Sequence, residues 1–102
     1  MTSETSIQTK VKNYAKKKGW IAIKLSTPTS RGWPDFQFLK SGRVFFIEFK
    51  APDEQPSEYQ DHIIKILQLQ KFSVYVVDNV ETGKSIINAQ TRHVAQLPGS
   101  RG

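Results

Sequence analysis

The fold of this chain is decided by residues 32–50, which read GWPDFQFLKSGRVFFIEFK. Two apolar runs in this stretch, 36–39 and 44–49, flank the polar segment 40–43. Runs rich in aromatic and β-branched residues on either side of a short polar segment with a glycine are typical of a β-hairpin. Residues 32–50 therefore predict two antiparallel strands.

The register of this predicted hairpin places Asp35 opposite Glu48. Ser41-Gly42 can be a two-residue turn, or the loop can span all of residues 40–43 symmetrically. In both cases the residue numbers of every cross-strand pair add up to the same value, and Asp35 pairs with Glu48. A three-residue bulged loop would give a different register. Directly opposed Cβ atoms lie about 4.5–5.5 Å apart. Two carboxylates are therefore expected side by side.

Side chains alternate along a strand, so the hairpin has two faces. One face carries Asp35, Glu48 and Lys50. The other face is uninterrupted hydrophobe and belongs in the core, with Phe36, Phe38, Phe45, Ile47 and Phe49. Two carboxylates this close raise each other's pKa unless a cation neutralises them, which favours a divalent metal site. The alternative for the three charged residues is a cross-strand salt bridge on an exposed sheet face.

The length and composition of the chain limit its class. A chain of 102 residues suits one compact domain, predicted as 1–102 with a core at about 4–96 and a flexible tail at 97–102. The formal net charge of +6 points to a polyanion such as nucleic acid, although basic surfaces also serve solubility. The chain has no cysteine, and His62 and His93 are too far apart for a recognisable zinc motif.

The sequence gives no sign of membrane insertion or export. No apolar stretch approaches the roughly 20 residues that span a bilayer, and the N-terminus lacks the apolar region of a signal peptide. We therefore expect a soluble, intracellular protein without a membrane partner.

The rest of the chain predicts an α/β fold. Residues 4–18 have helical spacing, 20–25 form a strand, and 26–34 form a loop. Residues 57–71 predict a second helix that opens with a capping box, Ser57-x-x-Gln60, and 73–78 predict a strand. A helix between two strands is typical of a parallel pair, so the sheet is expected to be mixed.

Two details of this helical pattern can be tested. The predicted inner side of the second helix consists of Tyr59, Ile63, Ile66, Leu67 and Gln70. Residues 79–96 contain Gly83 and fit either two strands joined by a turn or a helix, of which the helix is slightly favoured.

Six residues are candidates for nucleic-acid contact. The basic candidates are expected to contact phosphates, which are the general source of affinity for nucleic acids. The alternative for the lysines of the first predicted helix is that they form a solvated face. Trp33 is expected to be either a packing residue or a surface that stacks on an unpaired base. The candidates are Lys10, Lys16, Lys17, Lys24, Arg31 and Trp33.

In its order of elements and motifs, the chain resembles the PD-(D/E)xK nuclease superfamily, and more narrowly the virus-type replication-repair nuclease (VRR-NUC) domain. The resemblance covers about positions 4–78. Each motif alone is weak, but four in the right order are fairly specific. The motifs are Gly32-x-Pro34-Asp35, Glu48-x-Lys50, Ser57-x-x-Gln60 and Glu4 early in the first helix.

The resemblance implies a restriction-endonuclease-like core, with a central mixed sheet flanked by helices in α-β-β-β-α-β order. It also implies that Asp35 and Glu48 bind Mg²⁺ or Mn²⁺ together with the backbone carbonyl of Phe49, and that Glu4 is a further metal ligand. The implied catalytic residues are Asp35, Glu48, Lys50, which contacts the attacking water, and Gln60. A cap for the second helix is a compatible role for Gln60.

The function implied by the resemblance is a Mg²⁺-dependent endodeoxyribonuclease. Small standalone members look like phage or bacterial homodimers that cut branched DNA such as four-way (Holliday) junctions. This implies a site of action in the cytoplasm of a bacterial cell or of a phage-infected host. One alternative is a nuclease for flap, nicked or duplex DNA in repair or restriction. The other is a noncatalytic nucleic-acid-binding domain.

Overall fold

A computed structural model describes residues 2–25, 27, 29 and 31–96 of the chain. The predicted tail, 97–102, lies outside the described residues. The described residues form three helices and four strands: α1 (Glu4–Lys17), β1 (Ile21–Lys24), β2 (Phe36–Lys40), β3 (Arg43–Phe49), α2 (Glu58–Leu69), β4 (Ser73–Val77) and α3 (Val80–Gln96).

The four strands form one mixed sheet in the order β1-β2-β3-β4. β1 pairs antiparallel with β2, and β2 pairs antiparallel with β3. β4 runs parallel to β3, and α2 is the crossover between them. The predicted α/β fold with a central mixed sheet is confirmed.

The turn between β2 and β3 has the predicted two-residue form. Lys40 pairs with Arg43, and Ser41 and Gly42 have φ angles of 49° and 81°. Left-handed φ values at both central positions are what a type I′ turn requires, and the twist of this turn matches that of the flanking strands. The turn sets the register that the sequence predicted.

One face of the sheet packs against α1 and α3. The buried cluster on this face contains Phe38 and Phe45, whose ring centroids lie 4.9 Å apart, together with Val11 of α1. Gly83 lies inside α3, and a Cβ built on it would lie 2.5 Å from Cγ2 of Val11. The glycine therefore permits close approach of the two helices, and the favoured prediction of a helix over 79–96 is confirmed.

The opposite face of the sheet packs against α2 through a second buried cluster. Its members are Phe46, Ile64, Leu67 and Val74. The predicted inner side of α2 was partly wrong, because Tyr59, Ile66 and Gln70 are exposed and Ile64 is buried instead. Tertiary packing, which the helical period alone does not contain, selects the buried stripe.

The start of α1 is determined by a cap. The Ser3 hydroxyl accepts a hydrogen bond from the Ser6 N–H at 3.0 Å, so the helix begins at Glu4. Within the described part of the chain, no helix combines the length and the apolar character that a membrane span requires.

Candidate active site

Asp35 lies directly before β2 and is held by the strands on both sides. Its backbone carbonyl accepts a hydrogen bond from the Leu25 N–H at 2.7 Å. Its carboxylate Oδ2 accepts one from the Phe49 N–H, also at 2.7 Å. Phe36 pairs with Ile47, so extending this register by one residue pairs Asp35 with Glu48, as predicted.

Glu48 is a buried carboxylate on β3, with only 2% of the residue exposed. Its Oε2 accepts a hydrogen bond from Nε2 of Gln60 at 2.9 Å and lies 3.4 Å from Nζ of Lys50. Its Oε1 is buried and has no hydrogen-bond partner among the described residues. A buried oxygen left unpaired is costly, so it requires an explanation.

Gln60 links this carboxylate to the start of α2. Its Oε1 accepts a hydrogen bond from the Ser57 N–H at 2.9 Å, and its own N–H donates to the Ser57 hydroxyl at 3.1 Å. These two bonds form the predicted capping box. The cap and the contact with Glu48 use different atoms of one side-chain amide, so both predicted roles of Gln60 are compatible.

The electrostatics of the Asp35 and Glu48 carboxylates favour either protonation or a bound cation. Burial, reinforced by the nearby Asp35 charge, raises the pKa of Glu48 to about 7, although Lys50 acts in the opposite direction. Burial also raises the pKa of Asp35, against the hydrogen bond from the Phe49 N–H and the charge of Lys50. A positive ion between the two carboxylates would relieve both effects.

The residues present fit a hard divalent cation. Asp35 and Glu48 supply carboxylate oxygens, and the unpaired Oε1 of Glu48 is an available ligand. The described residues contain no group of three or more His, Cys, Asp or Glu side chains that could hold a metal ion. Two carboxylates are sufficient for Mg²⁺, which is usually bound through one or two carboxylates with water and phosphate in the remaining positions.

Glu4 and Lys24 lie at the margin of the site. Burial and the charge of Asp35 raise the pKa of Glu4, while Lys24 lowers the pKa of both acids. The start of α1 and the end of β1 therefore lie within electrostatic reach of the carboxylate pair. The role of Glu4 as a metal ligand stays a prediction.

The other basic candidates lie on α1 and in the loop before β2. Lys16 and Lys17 are exposed in the last turn of α1. Glu4 and Lys16 are separated by about 18 Å along the helix axis, at 1.5 Å per residue. Lys10 is exposed between these ends, and the guanidinium of Arg31 lies 5.9 Å from the centre of the Tyr59 ring.

Gly32 is required by the contact between the loop before β2 and helix α2. Its φ angle is +84°, and a Cβ built on it would lie 2.4 Å from Cε2 of Tyr59. The loop therefore passes directly against Tyr59 before it reaches Pro34 and Asp35. The sequence signal was only the glycine in the motif, because nothing local connects residue 32 with residue 59.

Trp33 is half-exposed, with 42% of the residue accessible to solvent. Among the described aromatic residues, no ring pairs with it. More than half of the residue is buried, so its packing role and its contact with nucleic acid both stay predictions.

Comparison with solved structures identifies the fold class. The chain matches a structure described as "VRR_NUC domain" with a TM-score of 0.77, over 86% of this chain and 97% of that chain, at 24% sequence identity. The chain thus has the VRR_NUC fold, and the resemblance predicted from the Pro34-Asp35 and Glu48-x-Lys50 motifs is confirmed at the level of the fold.

Comparison with curated sequences finds a phage relative. The chain is 41% identical over 58 residues to "Putative nuclease p44" of Acyrthosiphon pisum secondary endosymbiont phage 1. The aligned segment covers 56% of this chain and 62% of the phage protein, so it spans less than two thirds of that relative. No family model matches the chain.

Proposed function

We propose that this protein is a metal-dependent endonuclease that hydrolyses DNA phosphodiester bonds. The observation that carries the proposal is the buried, unpaired Oε1 of Glu48 beside a second carboxylate, Asp35, and a lysine, Lys50. The VRR_NUC fold and the name of the phage relative support the same activity. A cross-strand salt bridge alone would leave Oε1 of Glu48 without a role.

Asp35 and Glu48 would hold Mg²⁺, or Mn²⁺ as a substitute, and the Phe49 carbonyl and Glu4 are the further predicted ligands. When bound, such an ion lowers the pKa of coordinated water and stabilises negative charge that develops on the phosphate. The backbone N–H of Phe49 fixes the position of the Asp35 carboxylate toward this site.

Lys50 and Gln60 have different roles in the proposed reaction. The side chain of Lys50 is only 14% exposed, and Glu48 accepts one of its three donors. The remaining donors can orient the attacking water or hold the scissile phosphate. Gln60 is a positioning residue, because its amide orients Glu48. The attacking water loses a proton and forms the new P–O bond as the ester P–O bond breaks, and the leaving oxygen takes up a proton.

For the substrate we propose branched DNA, such as a four-way junction, cut by a homodimer. Symmetric incision of a junction requires two active sites related by a two-fold axis, and one domain of this size carries one. The net charge of +6 suits a polyanion. The phage origin of the relative supports action in the cytoplasm of a bacterial cell or of a phage-infected host.

The test is cleavage of labelled four-way junction, flap, nicked and linear duplex DNA by the purified chain, in Mg²⁺ or EDTA. Asp35→Asn and Lys50→Ala are the test variants. Asp61→Asn and Lys65→Ala are matched controls, since these residues form an exposed ion pair on α2.

We expect metal-dependent cutting that both test variants lose and both controls keep, with junctions cut faster than duplex. Cutting by Asp35→Asn at the wild-type rate would refute the proposed site. Binding of DNA without metal-dependent cutting would favour the noncatalytic alternative. Equal cutting of all four substrates would remove the junction preference but retain the nuclease.

A further inference from the structure

A pocket of about 300 Å³ lies beside the carboxylate pair and is lined by Leu25, Thr29, Trp33, Gln37 and Phe46. We infer that this pocket receives an unpaired nucleobase of the DNA strand that is cut. The inference rests on the proposed nuclease function and deepens it, because it assigns a substrate feature to particular residues.

The pocket and the carboxylates share one face of the hairpin. Gln37 pairs with Phe46, and this pair is two residues along the strands from Asp35 and Glu48. Side chains two residues apart lie on the same face, about 6.6–6.8 Å apart along the strand. A nucleotide whose phosphate lies at the carboxylates therefore has its base within reach of the pocket.

The lining has the chemistry of a base-binding site. Phe46 and Leu25 supply apolar surface, and the half-exposed indole of Trp33 is a stacking platform. The half-buried Gln37 side chain contributes an amide to the lining. An amide offers donors and an acceptor to the edge of a base, and proteins read unstacked bases by stacking and such hydrogen bonds.

The surrounding charge suits a DNA strand at this place. Lys24 is exposed on β1, next in sequence to Leu25 of the pocket, and its charge reaches Asp35. A cation here can contact the phosphate next to the bound base. The basic neighbour offsets the repulsion between the carboxylates and the DNA strand, so the strand can approach without the ion, and the proposed ion would strengthen binding further.

A base can enter this pocket only after it leaves the helical stack. In continuous duplex DNA, unstacking and unpairing a base costs free energy, and this cost is least where the base is already unpaired. Branch points, flaps and bulges supply such bases. The pocket therefore selects DNA with an unpaired nucleotide beside the scissile phosphate, and it does so by shape more than by sequence.

The binding test uses 2-aminopurine, a fluorescent base whose emission falls when it stacks on an aromatic ring. It is placed unpaired in a one-nucleotide bulge, or paired in matched duplex, and titrated with the intact protein in EDTA so that no cleavage occurs. The variants are Trp33→Ala, Trp33→Phe and Gln37→Ala. Leu69→Ala is the control, because Leu69 is 77% exposed on α2 and outside the pocket.

We expect quenching of the bulged 2-aminopurine by wild type, Trp33→Phe and Leu69→Ala, and its loss in Trp33→Ala. We also expect Trp33→Ala to reduce Mg²⁺-dependent cutting of bulged DNA by roughly 10-fold, within the range found when base-stacking aromatics are removed. Cutting of matched duplex should fall less, because that substrate presents no unpaired base to the pocket. Unchanged thermal unfolding of Trp33→Ala would exclude a folding defect.

The outcomes separate this inference from the proposed function. If the protein cuts DNA but Trp33→Ala quenches and cuts bulged DNA like wild type, the pocket inference is overturned and the nuclease stands. If quenching depends on Trp33 but no substrate is cut in Mg²⁺, the base pocket is supported and the proposed nuclease function fails.

Discussion

The side-chain amide of Gln60 donates a hydrogen bond to Oε2 of Glu48 while its oxygen caps the first turn of α2 through the Ser57 N–H. One residue thus joins the start of a helix to a carboxylate in the middle of the sheet. Because the amide is held at both ends, Glu48 has a restricted orientation. The local stability of α2 and the geometry of the candidate active site are therefore coupled.

This coupling predicts that two substitutions of Gln60 differ in their effect on stability but both impair cleavage. Gln60→Ala removes the side-chain half of the capping box, the bond from the Ser57 N–H, at a net cost of about 0.5–1.5 kcal/mol, while the backbone N–H of residue 60 still donates to the Ser57 hydroxyl. It also leaves Oε2 of Glu48 with only its lysine partner. Gln60→Glu keeps a side chain that suits a capping box but loses the donor to Glu48 and adds a charge. We expect both to reduce cleavage at least 10-fold.

The measurements are urea unfolding and cleavage rates, with Gln70→Ala, at the exposed C-cap of the same helix, as the control. Gln60→Glu should lose activity with helix α2 intact, as judged by circular dichroism at pH 5, where added charge is partly neutralised. Wild-type activity in both Gln60 variants would mean that the contact with Glu48 has no role in positioning.

The raised pKa of Glu48 predicts how stability depends on pH in metal-free protein. The ordinary pKa is 4.5, and burial raises the folded-state value to about 7. Between these values the folded protein holds a proton that the unfolded chain has released. The free energy of unfolding therefore falls as pH rises from about 5 to 8. A difference of this size corresponds to about 3 kcal/mol.

The check is urea unfolding in EDTA at several pH values for wild type and Glu48→Gln. The difference between the two slopes isolates Glu48 from other titrating groups. Mg²⁺ should stabilise wild type more at pH 8 than at pH 5, and it should stabilise Glu48→Gln little at either pH. Identical pH dependence in the two proteins would show that Glu48 titrates normally.

Gly32 and Gly42 form a matched pair that separates backbone strain from steric overlap. Their φ angles are +84° and +81°, but only Gly32 faces a neighbour, Tyr59, while nothing lies within 4 Å of a Cβ on Gly42. An L-residue in the left-handed region costs about 1–2 kcal/mol. We expect Gly42→Ala to show this cost alone and Gly32→Ala to lose more stability and to impair cleavage, because Asp35 is displaced.

Unfolding curves and cleavage rates of both variants test this expectation. The double variant Gly32→Ala/Tyr59→Ala should recover the part of the stability that the overlap removes. Equal losses in Gly32→Ala and Gly42→Ala would show that the contact with Tyr59 contributes nothing.

At Gly83 we expect an exception to the usual helix propensities, in which alanine is favoured over glycine. Alanine in a helix interior is favoured over glycine by about 1 kcal/mol. At this position the new Cβ would meet Val11 of α1 at 2.5 Å, and overpacking of this kind costs about 1–3 kcal/mol. We expect Gly83→Ala to destabilise the protein and Gly83→Ala/Val11→Ala to be less destabilised than the two losses added together. A more stable Gly83→Ala protein would contradict the close packing.

Features that depend on neighbouring residues were predictable from the sequence. Ser41-Gly42 encodes its own turn, so the pairing that brings Asp35 to Glu48 follows from the hairpin. The capping box of Ser57 and Gln60 joins residues three positions apart. The motifs that carry the VRR-NUC resemblance combine these local elements.

The tertiary structure alone decided how the separate elements meet. The sequence did not predict that Ile64 would be buried on α2 instead of Ile66, that Tyr59 would lie against Gly32, or that Trp33 would line a pocket with Gln37. Each of these contacts depends on the packing of one element on another. Such packing minimises free energy over the whole core, whereas turns and caps are set by hydrogen bonds and backbone angles within a few residues.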